Sequence, residues 1–409
     1  MHVNIMSRAN EIYYLDRQVE RELERVRESS DPNKDTMLRF YNHSVAEGLS
    51  IARILGRLRS TVHLSGMLGM KFEEATKEDL VNLVAKIEQK KLSPWTKKDY
   101  KKMLKLLYKW LRGTDESPPE VKWIKCAKNI PSTLLKKDLL TVEEANAIVE
   151  NADDIQFKAL FSMFYDSGRR LGEILGLRVG DVEFDSLGAK LRVDGKVGKD
   201  IARICASSPR LAVWRENHPD KNNPEAPLWV AMKGEVVKQL GYPTVLKKLK
   251  KAARKAGIKK RVWPYLFRHS RITSACTKLS YSQMCQVFGW KQGSDMPQFY
   301  VHLSGDDRDE AFLKMNGLES ISNARSENTA YVPQVCPRCK RTNSPDAKYC
   351  NGCGLALEVR FALELDQRKE DIKEKIDQLS SELAKSPEVV DKLLDALALL
   401  RHEENAKDT

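Results

Sequence analysis

The chain has 409 residues, of which 41% are apolar and 31% charged, with a net charge of +13. That balance excludes a disordered polyelectrolyte, and the length predicts two or three packed units. No run approaches the ~20 uninterrupted apolar residues of a membrane span, and the opening Met1-His2-Val3-Asn4 starts no signal-peptide pattern, so a cytoplasmic protein without membrane contact is expected.

Residues 7–112 read as a bundle of helices. Thr76 with Asp79 and Thr96 with Asp99 form Thr-x-x-acid capping patterns ahead of apolar repeats. In the last helix Tyr100, Leu104, Leu107 and Leu111 share one face, while Lys98, Lys102, Lys105, Lys109 and Arg112 line the other. The second face is a candidate surface for DNA phosphates, with a merely solvated face the equal alternative. Gly113 ends this helix, and the Pro118-Pro119 pair makes residues 114–119 a linker, because paired prolines cannot continue a helix. A first domain over 1–115 follows, with a second starting near 120.

Helical patterning resumes at a capping box, Thr141 with Glu144. Short β-type runs at 190–193 and 201–205, broken at Asp194-Gly195 and Gly198, predict a small hairpin or three-stranded sheet. A densely basic helix then covers 242–256, capped by Gly257, and further helices run to about 318. The second domain, 120–325, is therefore mainly α with a small β-sheet. Residues 319–334 are a polar tether.

Of eight cysteines, four lie singly and four form two CxxC pairs: Cys336 and Cys339, then Cys350 and Cys353 after ten residues. Two such knuckles close a tetrahedral thiolate site, so residues 331–356 are expected to be a zinc ribbon. Four protein ligands leave no open position, which makes that zinc structural. A redox dithiol would need only one pair. In the tail, 357–409, Leu365, Ile372, Ile376, Leu379 and Leu383 keep a heptad-like rhythm, and a second helix follows Pro387, predicting a helical hairpin or short coiled coil. Residues 355–409 hold 14 Asp/Glu against 9 Lys/Arg, so their net −5 argues against DNA contact there and leaves +18 to the rest of the chain, an excess suited to a polyanion.

Within the second domain, Gly168-Arg169-Arg170 is followed by Glu173 and the Leu-rich stretch to Leu177, then Asp181. Next come Lys196 in the predicted turn with Lys199 nearby, the segment Pro264-Tyr265-Leu266-Phe267-Arg268-His269-Ser270, the segment Phe288-Gly289-Trp290, and Tyr300. This ordered set resembles the active-site boxes of the tyrosine recombinase (phage integrase) family, in the form of an archaeal-type integrase with a C-terminal zinc ribbon. The resemblance covers residues 10–310. Tyr265 stands where the family usually has a histidine, Trp290 where it has His or Trp, and the interval from Trp290 to Tyr300 is one residue longer than usual.

The resemblance implies a function: site-specific cleavage and rejoining of double-stranded DNA through a 3′-phosphotyrosyl bond. It implies Tyr300 as nucleophile, Arg170 and Arg268 as transition-state stabilisers, and Lys196 as the acid for the leaving 5′ oxygen, with Glu173 and His269 in support. Two fixed guanidiniums suit the charge that develops on nonbridging oxygens. Trp290 and Tyr265 would complete a phosphate pocket, although a Tyr265 packed in the core with its hydroxyl satisfied fits the sequence as well. No metal is needed for this chemistry. The resemblance further implies a SAM-like helical core-binding domain clamping DNA with the catalytic domain, four protomers in the synapse, and a ribbon or tail free for protomer contact or a protein partner. A catalytically impaired DNA-binding regulator and a topoisomerase-like enzyme are the alternatives.

Overall fold

The computed structural model describes residues 8–127, 134–195, 198–233, 236–276, 278–304, 333–345, 347–357, 372–373 and 375. They belong to two compact units, 1–330 and 331–409. Among the described residues no helix is long and apolar enough to cross a membrane.

The first unit opens with α1 (Arg8–Tyr13), α2 (Leu15–Glu28), α3 (Lys34–Ala46), α4 (Ile51–Leu68), α5 (Lys77–Gln89), α6 (Pro94–Arg112) and the single turn α7 (Pro119–Lys122). Thr76 and Asp79 form the expected capping box at α5. Helix α6 starts differently. Ser93 is its N-cap, accepting from the Thr96 amide with Pro94 in the first turn, so the expected box of Thr96 with Asp99 does not form. Proline suits that place because its fixed φ is already helical and its missing N–H would have had no partner. Helix α6 buries Met103, Leu104, Leu107 and Tyr108. That stripe packs with Leu80, Leu83 and Ile87 of α5, and the Tyr108 hydroxyl donates to the Phe72 carbonyl at 2.8 Å. Gly113 ends α6 in the left-handed conformation, φ 59°. Beyond it the paired prolines start α7 instead of opening a linker, and Val121 and Ile124 join the α5–α6 core.

The rest of this unit contains α8 (Val142–Glu150), α9 (Ile155–Ser167), α10 (Leu171–Leu175), β1 (Val182–Asp185), β2 (Gly188–Gly195), β3 (Gly198–Ile204), α11 (Ser208–Glu216), β4 (Val230–Lys233), β5 (Val236–Gln239), α12 (Tyr242–Lys255), α13 (Pro264–Ala275), α14 (Tyr281–Phe288) and α15 (Met296–Ser304). The Thr141–Glu144 capping box opens α8. Helix α9 is apolar on every side and buries all its residues but Ile155 and Lys158, which makes it the central helix of the layer. It packs against α8, α11 and α13.

Strands β1, β2 and β3 form an antiparallel sheet in that order. In its register Gly195 faces Gly198, at the Asp194-Gly195 break expected from the sequence. The Asp166 carboxylate anchors the end of the sheet to α9, accepting from the amides of Cys205 and Ser207 and from the Ser207 hydroxyl at 2.8–2.9 Å. The hairpin of β4 and β5 was not expected from the sequence. Nor was the role of α1, which docks on α10 and α12: Glu11 pairs with Arg178 at 3.1 Å, the Tyr13 and Tyr242 rings lie 5.6 Å apart, and Tyr14 packs so closely on Gly241 that any Cβ there would clash.

In the second unit, β6 (Gln334–Val335) pairs antiparallel with β7 (Thr342–Asn343), and a bridge joins Tyr349 to Ala356. The expected coiled-coil tail lies outside the described residues, apart from Ile372, Lys373 and Lys375.

Candidate active site

Two left-handed helix ends and one helix face build the site. Gly168 ends α9 at φ +57° and Gly289 ends α14 at φ +66°. A Cβ on Gly168 would sit 2.8 Å from the Phe288 ring, and one on Gly289 would sit 2.5 Å from the Arg169 guanidinium, so both positions require glycine. Their carbonyls hold the two expected arginines crosswise. Arg170 Nη1 donates to the Gly289 carbonyl at 2.9 Å, and Arg268 Nη1 donates to the Gly168 carbonyl at 2.9 Å. Sequence segments 100 residues apart are thereby locked into one frame.

Glu173, one turn into α10 and 5% exposed, accepts from Arg170 Nη1 at 2.7 Å. Arg170 keeps a quarter of its side chain in solvent. Arg268 is 1% exposed; its Nη2 donates to the Phe288 carbonyl at 3.0 Å and its buried Nε has no partner among the described residues. Burial lowers its pKa, with Arg170 adding to the effect.

Tyr265, Arg268 and His269 project from one face of α13 because they are three and four residues apart. Trp290 follows Gly289, and α15 brings in Tyr300, which is fully buried and stacked on the Trp290 indole at 5.6 Å. Its hydroxyl lies 3.0 Å from His269 Nδ1. Burial raises the Tyr300 phenol above its ordinary pKa, against the opposing pull of the Arg268 and Arg170 charges. Burial and the neighbouring Arg268 push His269 down to about 4. Tyr265 is not a core residue. It is 37% exposed, with its ring edge-on to His269 at 4.8 Å.

Lys196 lies outside the described residues, but the strands that carry it do not. Gly195 backs directly onto Glu173, where a Cβ would lie 2.9 Å from Oε1. Arg169, in the variable slot of its motif, is 4% exposed and pairs with Asp200 of β3 at 2.7 Å. Sequence reasoning missed this tether because only the β2–β3 register brings positions 169 and 200 together. Arg169→Met is expected to cost about 2 kcal/mol, below the usual range for a broken buried pair because Asp200 is half exposed. A urea unfolding series measures it.

Structure divides the cationic residues expected on α6. Lys105 donates to the Ile124 carbonyl at 3.2 Å, Lys109 to the Asp115 carbonyl at 2.6 Å, and Arg112 to Glu120 at 2.7 Å, so these three grip α7 and the turn before it. Lys98 lies over the Trp95 ring, and Lys102 is exposed.

The four cysteines of the second unit converge, with their sulfurs all within 4.8 Å of one another. The closest approaches join the knuckles: Cys336 to Cys353 at 3.6 Å and Cys339 to Cys350 at 3.4 Å. Thiolates bound tetrahedrally at ~2.3 Å lie about 3.8 Å apart, so the set fits a four-coordinate metal ion. Each knuckle closes in the same way. The amide four residues on returns to the carbonyl of Cys336 or Cys350 at 2.9 Å, with Lys340 and Gly354 in the left-handed region.

A central buried helix, a three-stranded antiparallel sheet and two arginines held by helix-end carbonyls beside a buried tyrosine make up the site. Residues 138–306 match the phage integrase family. The chain is 26% identical to tyrosine recombinase XerA of Pyrococcus furiosus over 273 residues, 65% of this chain and 91% of that protein. XerA of Pyrococcus horikoshii is equally similar, 26% over 271 residues, with the same coverage. Among solved structures, the XerH recombinase bound to its palindromic difH substrate in a post-cleavage complex matches with a TM-score of 0.54 at 15% identity, covering 75% of this chain and 91% of that one. A lambda integrase dimer on a COC′ core site matches at 0.51 and 13%, covering 66% and 96%.

Proposed function

We propose that this chain is a site-specific recombinase that cuts and rejoins duplex DNA through Tyr300. The observation that carries the reading is the frame that gathers three separate segments: Arg170 on the Gly289 carbonyl, Arg268 on the Gly168 carbonyl with its guanidinium 5.3 Å over the Trp290 ring, and Tyr300 stacked on that same ring at 5.6 Å. Arg170 and the orphaned Nε of Arg268 are the donors for the scissile phosphate, which enters on the side left open at Arg170 and Tyr265. Trp290 holds the nucleophile by stacking, and Glu173 holds Arg170. Lys196, which follows Gly195 in sequence at the end of a strand seated against Glu173, protonates the leaving 5′ oxygen. A phosphotyrosyl ester conserves the bond energy, so rejoining needs no ATP.

In this reading residues 1–115 are a helical core-binding domain on DNA, 120–325 the catalytic domain, 331–356 a ribbon held by structural zinc, and 357–409 a tail for contact with another protomer or a protein partner. Four protomers form the synapse. A nicked duplex bearing the preferred site, identified by sequencing the DNA that the purified chain retains, tests the reading. A detergent-resistant adduct whose tryptic peptide maps to Tyr300 is expected. The complete burial of Tyr300 and the presence of Tyr265 at the histidine position favour one rival, a DNA-binding regulator. Tight site-specific binding with no adduct would establish that rival, and relaxation of plasmid regardless of sequence would establish a topoisomerase.

A further inference from the structure

Strand transfer by Tyr300 leaves one proton without a destination, that of the attacking phenol. Tyr265 is a poor acceptor, because a phenol with an unperturbed pKa of about 10 is already protonated at neutral pH. The Trp290 indole is a donor only. Lys196 is committed, as an ammonium, to the leaving oxygen. Among the described residues one basic nitrogen remains at the nucleophile, His269 Nδ1, 3.0 Å from the Tyr300 hydroxyl.

We infer that His269 is a catalytic residue that takes the proton of Tyr300 as it attacks. The inference rests on the recombinase reading and gives the acceptor role to His269, next to Arg268, in a chain whose usual histidine position holds Tyr265. The separation is already that of a general base in place. The ring is fixed from two sides, edge-on to Tyr265 at 4.8 Å and tilted on Tyr300 at 5.7 Å. With its pKa pushed down to about 4 by burial and by Arg268, the ring is neutral near pH 7, so Nδ1 accepts when the proton sits on Nε2. An imidazolium would repel that proton instead. The bound phosphodiester brings negative charge to Arg268 and so offsets the second cause, which raises the basicity of His269 at the moment of attack.

The step balances. The Tyr300 oxygen–phosphorus bond forms as the O–H proton passes to His269 Nδ1, and the bond from phosphorus to the 5′ oxygen breaks as that oxygen takes a proton from the Lys196 ammonium. Rejoining returns both protons by the same route.

The test uses the full chain with either ordinary or ring-fluorinated tyrosine at position 300, since fluorination makes the phenol more acidic and less dependent on a base. Single-turnover cleavage of the nicked duplex is measured with His269 intact and in His269→Ala. With ordinary tyrosine the variant is expected to lose roughly 10²–10⁴ in rate. With the fluorinated ring that deficit should shrink at least tenfold. Equal deficits with both phenols would assign His269 to packing alone and overturn the inference. His269→Asn, which keeps a hydrogen-bond acceptor near the phenol and preserves packing better, should remain slow; full activity in it would equally overturn the inference. If the unaltered chain forms no adduct at all, the recombinase reading itself falls, and that outcome is visible before any variant is made.

Discussion

Tyr300→Phe is expected to abolish the covalent adduct while leaving the chain folded and bound to its DNA site. The lost group is one oxygen, yet it is the atom on which the whole strand transfer depends, and removal of a nucleophile is felt on the order of 10⁶ in rate. The cost to the fold is small by comparison. The phenol lies in hydrogen-bond reach of His269, and its ring keeps the stacking on Trp290 and the edge contact with Phe299. Loss of that bond amounts to about 1 kcal/mol. Adduct formation on the nicked duplex, measured beside a binding isotherm, separates the two effects. Binding within about threefold of the unaltered chain and no adduct is the expected pair. An adduct that persists would place the nucleophile elsewhere and remove the proposed mechanism.

The contrast between those effects reflects how the site was legible in the sequence. Residues read directly are those whose geometry is local. Arg170 and Glu173 meet because they are one helical turn apart, and Tyr265, Arg268 and His269 share a face of α13 for the same reason. Capping boxes at Thr76 and Thr141 are local in the same sense. What escaped depends on distant segments meeting. The crosswise hold of each arginine by the other segment's glycine carbonyl spans 100 residues and more, and the pairing of Arg169 with Asp200 needs a strand register that no pattern of apolar residues specifies. The docking of α1 on α12 has a similar origin, in a six-residue helix too short to show a periodic stripe. Local rules also misplaced the start of α6, which Ser93-Pro94 open ahead of the expected Thr96 box, and misread Pro118-Pro119, where a helix starts in residues taken for a linker. In both cases a proline serves as a first-turn residue.

Cysteine spacing belongs to the legible class, and its consequence is the second large effect. Cys350→Ser is expected to release the metal from the second unit and unfold residues 333–357, with no change in DNA cleavage beyond what the tail itself contributes. The described part of that unit has two paired strands of two residues each and few buried side chains, chiefly Cys336, Cys350, Asn343 and Ser344. So small a core cannot hold itself together. Binding of structural zinc by such knuckles amounts to about 10–16 kcal/mol at neutral pH, which in the proposed ribbon would be folding free energy. Cys350 is the most telling position because its sulfur also accepts the Gly352 amide at 3.4 Å and its own amide closes the knuckle on the Leu355 carbonyl at 2.7 Å. Metal content by elemental analysis and the rate of proteolysis across residues 333–357 measure the outcome. One equivalent of zinc in the unaltered chain and none in the variant, with rapid cleavage confined to that segment, is the expected result. A full equivalent retained by Cys350→Ser would show that the four thiols do not act as one site, and the pairs would then have to be read as separate dithiols.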